Sequence, residues 1–231
     1  FTSTSAYIYF QNWEKWMRLG WLDASCPMVY YREHYTSEGH DVWYRNWIQA
    51  CRTWSHDRHF YAGQANYLNY MDNSIIQMQY ALNEGNAEGI INYSYATTRV
   101  DDPDYWAWYP YVADHLYTTP VPTPNMPWRD PATATDGTIF GRVLDWSTGL
   151  PVDGATVQVG SMDAVQSDGN GYYVITLVPA TSPGTSYSIS ASKTGLGSTA
   201  STVDALPAQV VIKDLLLGTF TDCNANGIPD E

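Results

Sequence analysis

The chain is short of cations, cysteines and long apolar runs, and each shortage removes a class of function. Its 231 residues hold 11 Lys and Arg against 24 Asp and Glu, a formal net charge of −13. The isoelectric point lies near 4.5. Phosphate-rich partners call for a basic surface, so nucleic acid is excluded as a partner. No apolar run approaches the roughly 18 residues that suggest a membrane span, so none is expected. The three cysteines, Cys26, Cys51 and Cys223, match no zinc spacing. Cys26 and Cys51 sit in apolar stretches and read as buried free thiols. The first residue is Phe1 and no signal peptide follows; the opening reads as the middle of a fold, so the chain is taken as the C-terminal part of a longer protein.

What is abundant is aromatic: 10 Trp and 19 Tyr. Trp146 is the one Trp after residue 130, where the chain turns rich in Val, Thr, Ser, Ala and Gly. A shift of that kind marks a domain boundary. Before it, helical and strand patterns alternate. Helices are expected over 11–19, 41–53, 74–83 and within 104–117, with Trp43, Trp47, Ile48 and Cys51 on one stripe of the second and Asn73 or Ser74 capping the third. Strands are expected over 22–31, 59–65 and 89–96. Continuous apolar strands alternating with helices imply a parallel sheet covered by helices, in sequence order by the right-handed crossover rule. No Gly-rich phosphate loop follows any of them, which counts against a nucleotide-binding sheet and favours part of a (β/α)8 barrel.

Residues 118–136 are rich in Pro and Thr and read as a semi-rigid linker. From 137 to 218, seven short runs separated by turn residues predict a seven-stranded antiparallel β-sandwich. Within it Ser167-Asp168-Gly169-Asn170-Gly171 reads as a hairpin turn. The fold class is therefore α/β plus all-β, with units at 1–117 and 137–218.

In such a barrel the strand C-termini build the site. Alternation places Met28 and Tyr30 on one face, and Gln64 and Asn66 on one face of the next strand. Gln64 is expected to point into the barrel mouth, because a Gln facing the helices would be buried without partners. Asn92 and Ser94 complete the candidate substrate contacts. The acids after the first strand are Glu33, Glu38 and Asp41; Glu33, beside His34, is the candidate for a supporting catalytic role. Asp23 lies at the other end of its strand and reads as structural. His56 and His59 fall in a loop at the far end of the sheet and do not read as a metal pair.

Three resemblances add to this. QNWEKWMRLGWLDASCPMVYYRE (11–33), HFYAGQANYLN (59–69) and EGIINYSYA (88–96) resemble the C-terminal part of the glycoside-hydrolase-like family 10 domain, a barrel family of bacterial surface and secreted proteins. The resemblance covers about the last three of eight strands. It implies a parent that hydrolyses cell-wall or extracellular polysaccharide, with the catalytic residues on the preceding strands, and a secreted or bacterial cell-surface location. The alternative is an inert barrel that holds glycan as a scaffold. GTIFGRVLDWSTGLPVDGATVQV (137–159), SDGNGYYVITLVP (167–179) and PGTSYSISASKTG (183–195) resemble the carboxypeptidase regulatory-like domain, a non-catalytic sandwich. The tail from Asp222 to Glu231 resembles dockerin-like and thrombospondin-type-3-like calcium loops. Asp222, Asn224, Asn226, the Ile228 carbonyl and Asp230 fall at positions 1, 3, 5, 7 and 9, with Gly227 at the turn. Calcium there is the one metal expected; no cofactor is expected for catalysis.

Overall fold

The computed structural model describes residues 10–101 and 104–218. They belong to two compact units, Phe1–Asn125 and Met126–Glu231.

The first unit is built on a parallel sheet. Strands β1 (Ala24–Ser25) and β2 (Met28–Val29) are two pieces of one strand, β3 (His59–Ala65) is the middle strand, and β4 (Gly89–Tyr93) flanks its other edge. Ala24 pairs with His59 and Val29 with Gln64, so the register carries through the break between β1 and β2. The break falls at Cys26-Pro27, where proline has no N–H to give the ladder. The Pro27 carbonyl still accepts the Gly63 N–H at 2.9 Å. A Cβ on Gly63 would stand 2.6 Å from that oxygen, so the close approach requires glycine there. The strands run parallel and in sequence order, as their continuous apolar character predicts.

Among the described residues four α-helices accompany them: α1 (Trp13–Arg18), α2 (His40–Trp54), α3 (Met71–Asn83) and α4 (Trp108–His115). Tyr44, Ile48 and Cys51 of α2 are buried against Phe60, Ala62 and Ala81. Trp43 and Trp47 lie outside that stripe and remain 47% and 38% exposed. They face other aromatics instead: Trp43 meets Tyr31 and Trp47 meets Trp54, edge to face. Helix α3 begins at Met71, ahead of the expected Asn73 or Ser74 cap; Tyr70 precedes it with no side-chain cap, and Ser74 is fully buried inside the helix. Cys51 is buried as expected, with its thiol pushed up to about 12 by desolvation. Cys26 is exposed, because it sits on the sheet's outer strand. The segment read as a linker does not run free from its start: His59 Nε2 donates to the Asn125 carbonyl at 2.9 Å, within the first unit.

Among its described residues the second unit is a β-sandwich of eight strands rather than the expected seven, the last expected run being split in two. β5 (Asp136–Asp145), β8 (Tyr172–Pro179), β11 (Val210–Ile212) and β12 (Leu215–Leu217) form one sheet; β6 (Thr156–Val159), β7 (Val165–Gln166), β9 (Thr185–Lys193) and β10 (Gly197–Ala205) form the other. Strict alternation fills the space between them. Ile139, Val143, Val157, Val159, Ile175, Ile189 and Leu217 point inward and are all at most 4% exposed. Two expectations are corrected. The sandwich is not wholly antiparallel: β11 and β12 pair with β5 in parallel, because the chain crosses from β10 into the other sheet before its last run. Ser167–Gly171 does not close a hairpin, since β7 pairs with β6 and β8 with β5. The turn chemistry is as read: Asp168 Oδ1 accepts the Asn170 and Tyr172 N–H groups, each at 2.9 Å, and Gly171 takes a φ of 79°. The turn simply carries the chain from one sheet to the other.

A core this regular is sufficient for autonomous folding. Residues 126–218 expressed alone are expected to unfold in one cooperative transition by circular dichroism, and Ile189→Ala to lower their stability by about 2–5 kcal/mol. A non-cooperative melt would refute the expectation.

Candidate functional site

Parallel strands put all their C-termini on one side, so the residues after Val29, Ala65 and Tyr93 gather there. Tyr30, Tyr67 and Tyr93 meet at that end. Tyr30 stacks on Tyr93 at 5.7 Å between ring centroids, and Tyr67 stands edge-on to both, at 6.2 and 5.8 Å. The register explains the meeting. Ala65 pairs with Tyr93, and Tyr30 follows the partner of Gln64, so only a methyl group stands between the two rings. Burial and the neighbouring tyrosines raise the Tyr30 hydroxyl above its usual range, keeping it a proton donor at neutral pH.

Beneath the rings, Asn69 ties the three strand ends together. Its Oδ1 accepts the Glu33 N–H at 2.8 Å; its Nδ2 donates to the Tyr31 carbonyl at 2.9 Å and the Ala65 carbonyl at 3.1 Å. Its own carbonyl accepts the Val100 N–H at 3.1 Å. Asn69 is fully buried, so these bonds replace water rather than compete with it. The sequence reading passed over Asn69. The signal was present: an Asn in a short strand-to-helix turn commonly bonds backbone groups.

Glu33 lies in the expected loop, where its carboxylate is paired with an arginine. Arg45 clamps it with Nη2 to Oε1 at 2.6 Å and Nη1 to Oε2 at 3.2 Å. The Glu33 side chain is only 9% exposed, and its backbone is held by Asn69. A carboxylate with both oxygens bonded to a guanidinium is suited to position a loop. Beside it, the His34 ring titrates below its usual range through burial and the proximity of Arg32 and His40.

Gln64 is corrected in its facing. It points to the helices, on the side of Phe60 and Ala62, and is fully buried. The partner that the sequence argument could not see is Gln77 on α3, whose Oε1 accepts the Gln64 Nε2–H at 2.7 Å, while Gln77 Nε2 donates to the Tyr31 carbonyl at 3.3 Å. Asn66 is also fully buried, and neither atom of its amide has a protein partner among the described residues. Met28 shares a face with Tyr30 and is 75% exposed. Asn92 is exposed and Ser94 half-buried at the end of β4. Of the sequence candidates, the structure thus brings Tyr30 into an aromatic cluster and leaves Gln64 in the interior. A groove of about 680 Å³ runs along β1 and β2, lined by residues that include Trp13, Cys26, Met28, Tyr30 and Trp47. No cluster of metal-ligating side chains occurs among the described residues. The expected calcium ligands Asp222, Asn224, Asn226, Ile228 and Asp230 lie outside the described residues. No helix among the described residues is long and apolar enough to cross a membrane.

Comparison with known proteins identifies one domain. Residues 138–217 match the carboxypeptidase regulatory-like domain, the segment folded as the sandwich. No curated protein matches the chain. Among solved structures, the chain is similar to the Bacillus anthracis TIE protein (13% identity, 37% of this chain and 17% of that one, TM-score 0.32). It is also similar to the 5-hydroxyisourate hydrolase of Klebsiella pneumoniae (20% identity, 36% and 90%, TM-score 0.29). A third similarity is to a candidate carbohydrate binding protein from Bacteroides uniformis (18% identity, 36% and 41%, TM-score 0.29).

Replacing Asn69 by Ala would leave the Glu33 N–H and the Ala65 carbonyl without that partner, while the Tyr31 carbonyl keeps the Gln77 Nε2–H. At about 1–3 kcal/mol for each buried group left unpaired, a loss on the order of 3 kcal/mol in the first unit is expected from urea unfolding. A loss under about 1 kcal/mol would show that the amide is not the tie.

Proposed function

We propose that the first unit is the C-terminal part of a glycoside-hydrolase-like (β/α)8 barrel in a secreted or cell-surface protein that acts on cell-wall or extracellular polysaccharide. The observation that carries this reading is the Tyr30–Tyr67–Tyr93 cluster at the C-terminal ends of three consecutive parallel strands. Sugars offer an apolar ring face for aromatic stacking and hydroxyls for polar side chains, and tyrosine supplies both kinds of contact. The half-buried Ser94 and the exposed Asn92 add polar groups on the adjoining strand end.

In this reading the outer edge of β1 and β2, with its groove, is where a preceding barrel strand pairs. Glycoside hydrolysis uses two carboxyl groups about 5 to 9.5 Å apart. Glu33 is engaged by Arg45, so the acid and its partner come from the strands that precede this chain. The role of the present residues is to hold the glycan, and Gln64 contributes by supporting Tyr31 through Gln77 rather than by touching sugar. The sandwich is a non-catalytic module, and the oxygen-rich segment from Asp222 to Asp230 is read as the first part of a calcium loop.

The second reading, an inert glycan-holding scaffold, draws on the same commitment of Glu33 to Arg45. One experiment separates the two. Reducing-end release from bacterial cell-wall glycan and extracellular polysaccharides is measured for the full-length protein and for its Tyr93→Ala variant. The enzyme reading expects turnover by the full-length protein and about a five- to tenfold lower kcat/KM in the variant. The 231-residue chain alone is expected to release none. No turnover by the full-length protein would favour the scaffold; unchanged kinetics in the variant would remove the tyrosine cluster from the site.

A further inference from the structure

Beyond the end of β4 the chain builds a second aromatic group. Tyr95 is 71% exposed, Trp106 65% and Tyr109 36%, yet the three rings touch one another. Their centroids lie 5.8 Å apart for Tyr95 and Trp106, 6.0 Å for Tyr95 and Tyr109, and 5.6 Å for Trp106 and Tyr109. Trp106 and Tyr109 are inclined by only 37°, and Tyr95 stands at 88° to Trp106. Two rings thus form a shallow floor and the third a wall.

The arrangement is anchored. Trp108, between the two floor residues, is 2% exposed and packs on Ile75 and Met78, which fixes the start of α4. Thr98, also 2% exposed, donates its hydroxyl to the Tyr105 carbonyl at 2.5 Å. The Tyr109 hydroxyl donates to the Tyr95 carbonyl at 2.8 Å. Three large rings held together in water leave apolar area exposed, and an ordered patch of this kind marks a binding surface.

The geometry decides among ligands. Rings in direct contact leave no room between them for a cation, so this is not a cage for a quaternary ammonium. Asp101 in the loop is paired with Arg99 at 2.8 Å, so the loop offers no free cation from that pair, and the chain's net charge of −13 disfavours a phosphate-bearing ligand or an anionic lipid surface. A neutral ring with an apolar face and polar rim fits a floor and a wall edged by tyrosine hydroxyls.

We infer that Tyr95, Trp106 and Tyr109 form a stacking subsite for a neutral pyranose unit of a glycan, separate from the Tyr30–Tyr67–Tyr93 cluster. The inference rests on the glycan reading proposed above. Because the rings are exposed in this chain, it is tested on the 231-residue chain by calorimetric titration with cellohexaose, chitohexaose and xylohexaose. At least one is expected to bind, with about tenfold weaker affinity for Trp106→Ala, near-normal affinity for Trp106→Phe, and no change for Trp21→Ala, an exposed Trp at the opposite end of the sheet. Far-UV circular dichroism of Trp106→Ala is expected to match the wild type. Absence of binding to all three, or equal binding by Trp106→Ala, would overturn the inference. So would adsorption to phosphatidylcholine vesicles that Trp106→Ala abolishes while sugar binding is unchanged, which would make the patch a membrane contact. If Tyr93→Ala slows the full-length enzyme while Trp106→Ala binds sugar normally, the function proposed above stands and the platform falls.

Discussion

The first unit depends on one buried side chain, the amide of Asn69. Three parallel strands end in loops whose backbone groups are no longer paired by the ladder, and a buried unpaired group costs about 1–3 kcal/mol. Asn69 meets this at a single point. It accepts from Glu33, donates to Tyr31 and Ala65, and offers its carbonyl to Val100. The loops after β2, β3 and β4 are thereby fixed relative to one another, and Tyr30, Tyr67 and Tyr93 inherit that order. Gln77 extends the tie to α3 through Gln64 and Tyr31, and the Glu33–Arg45 pair extends it to α2.

The two units solve the burial problem in different ways. The sandwich needs little besides alternation: inward Val, Ile and Leu meet across two sheets, and the turns are local. The α/β unit spends polar residues in its interior, because the ends of a parallel sheet leave more backbone to satisfy than a meander does.

Much of this was legible in the sequence, and what was not has physical reasons. The strand His59–Ala65 has the predicted bounds. The side of the sheet on which Gln64 lies was not legible. A strand buried over nearly its whole length shows no polar alternation, and the partner Gln77 is thirteen positions away on another element. Periodicity placed Trp43, Trp47, Ile48 and Cys51 on one stripe because their spacing is helical; Ile48 and Cys51 are buried as expected, while Tyr44 takes the inward place and Trp43 and Trp47 stay partly exposed. The Asp168–Gly171 turn was legible as chemistry, but a turn does not state whether its two strands pair with each other. The stretch 22–31 was read as one strand; Pro27 breaks it into β1 and β2, and nothing in the sequence discloses that Gly63 must then come close.

The central claim is that the strand-end surface is ordered by Asn69. Amide hydrogen exchange at Glu33 reads this most directly, because that N–H bonds to the Asn69 side chain rather than to any strand. Exchange at Glu33 as slow as in the middle of β3, and lost in Asn69→Ala while the α2 amides stay protected, is the result the account predicts. Exchange at Glu33 in the wild type as fast as in an exposed turn would contradict it.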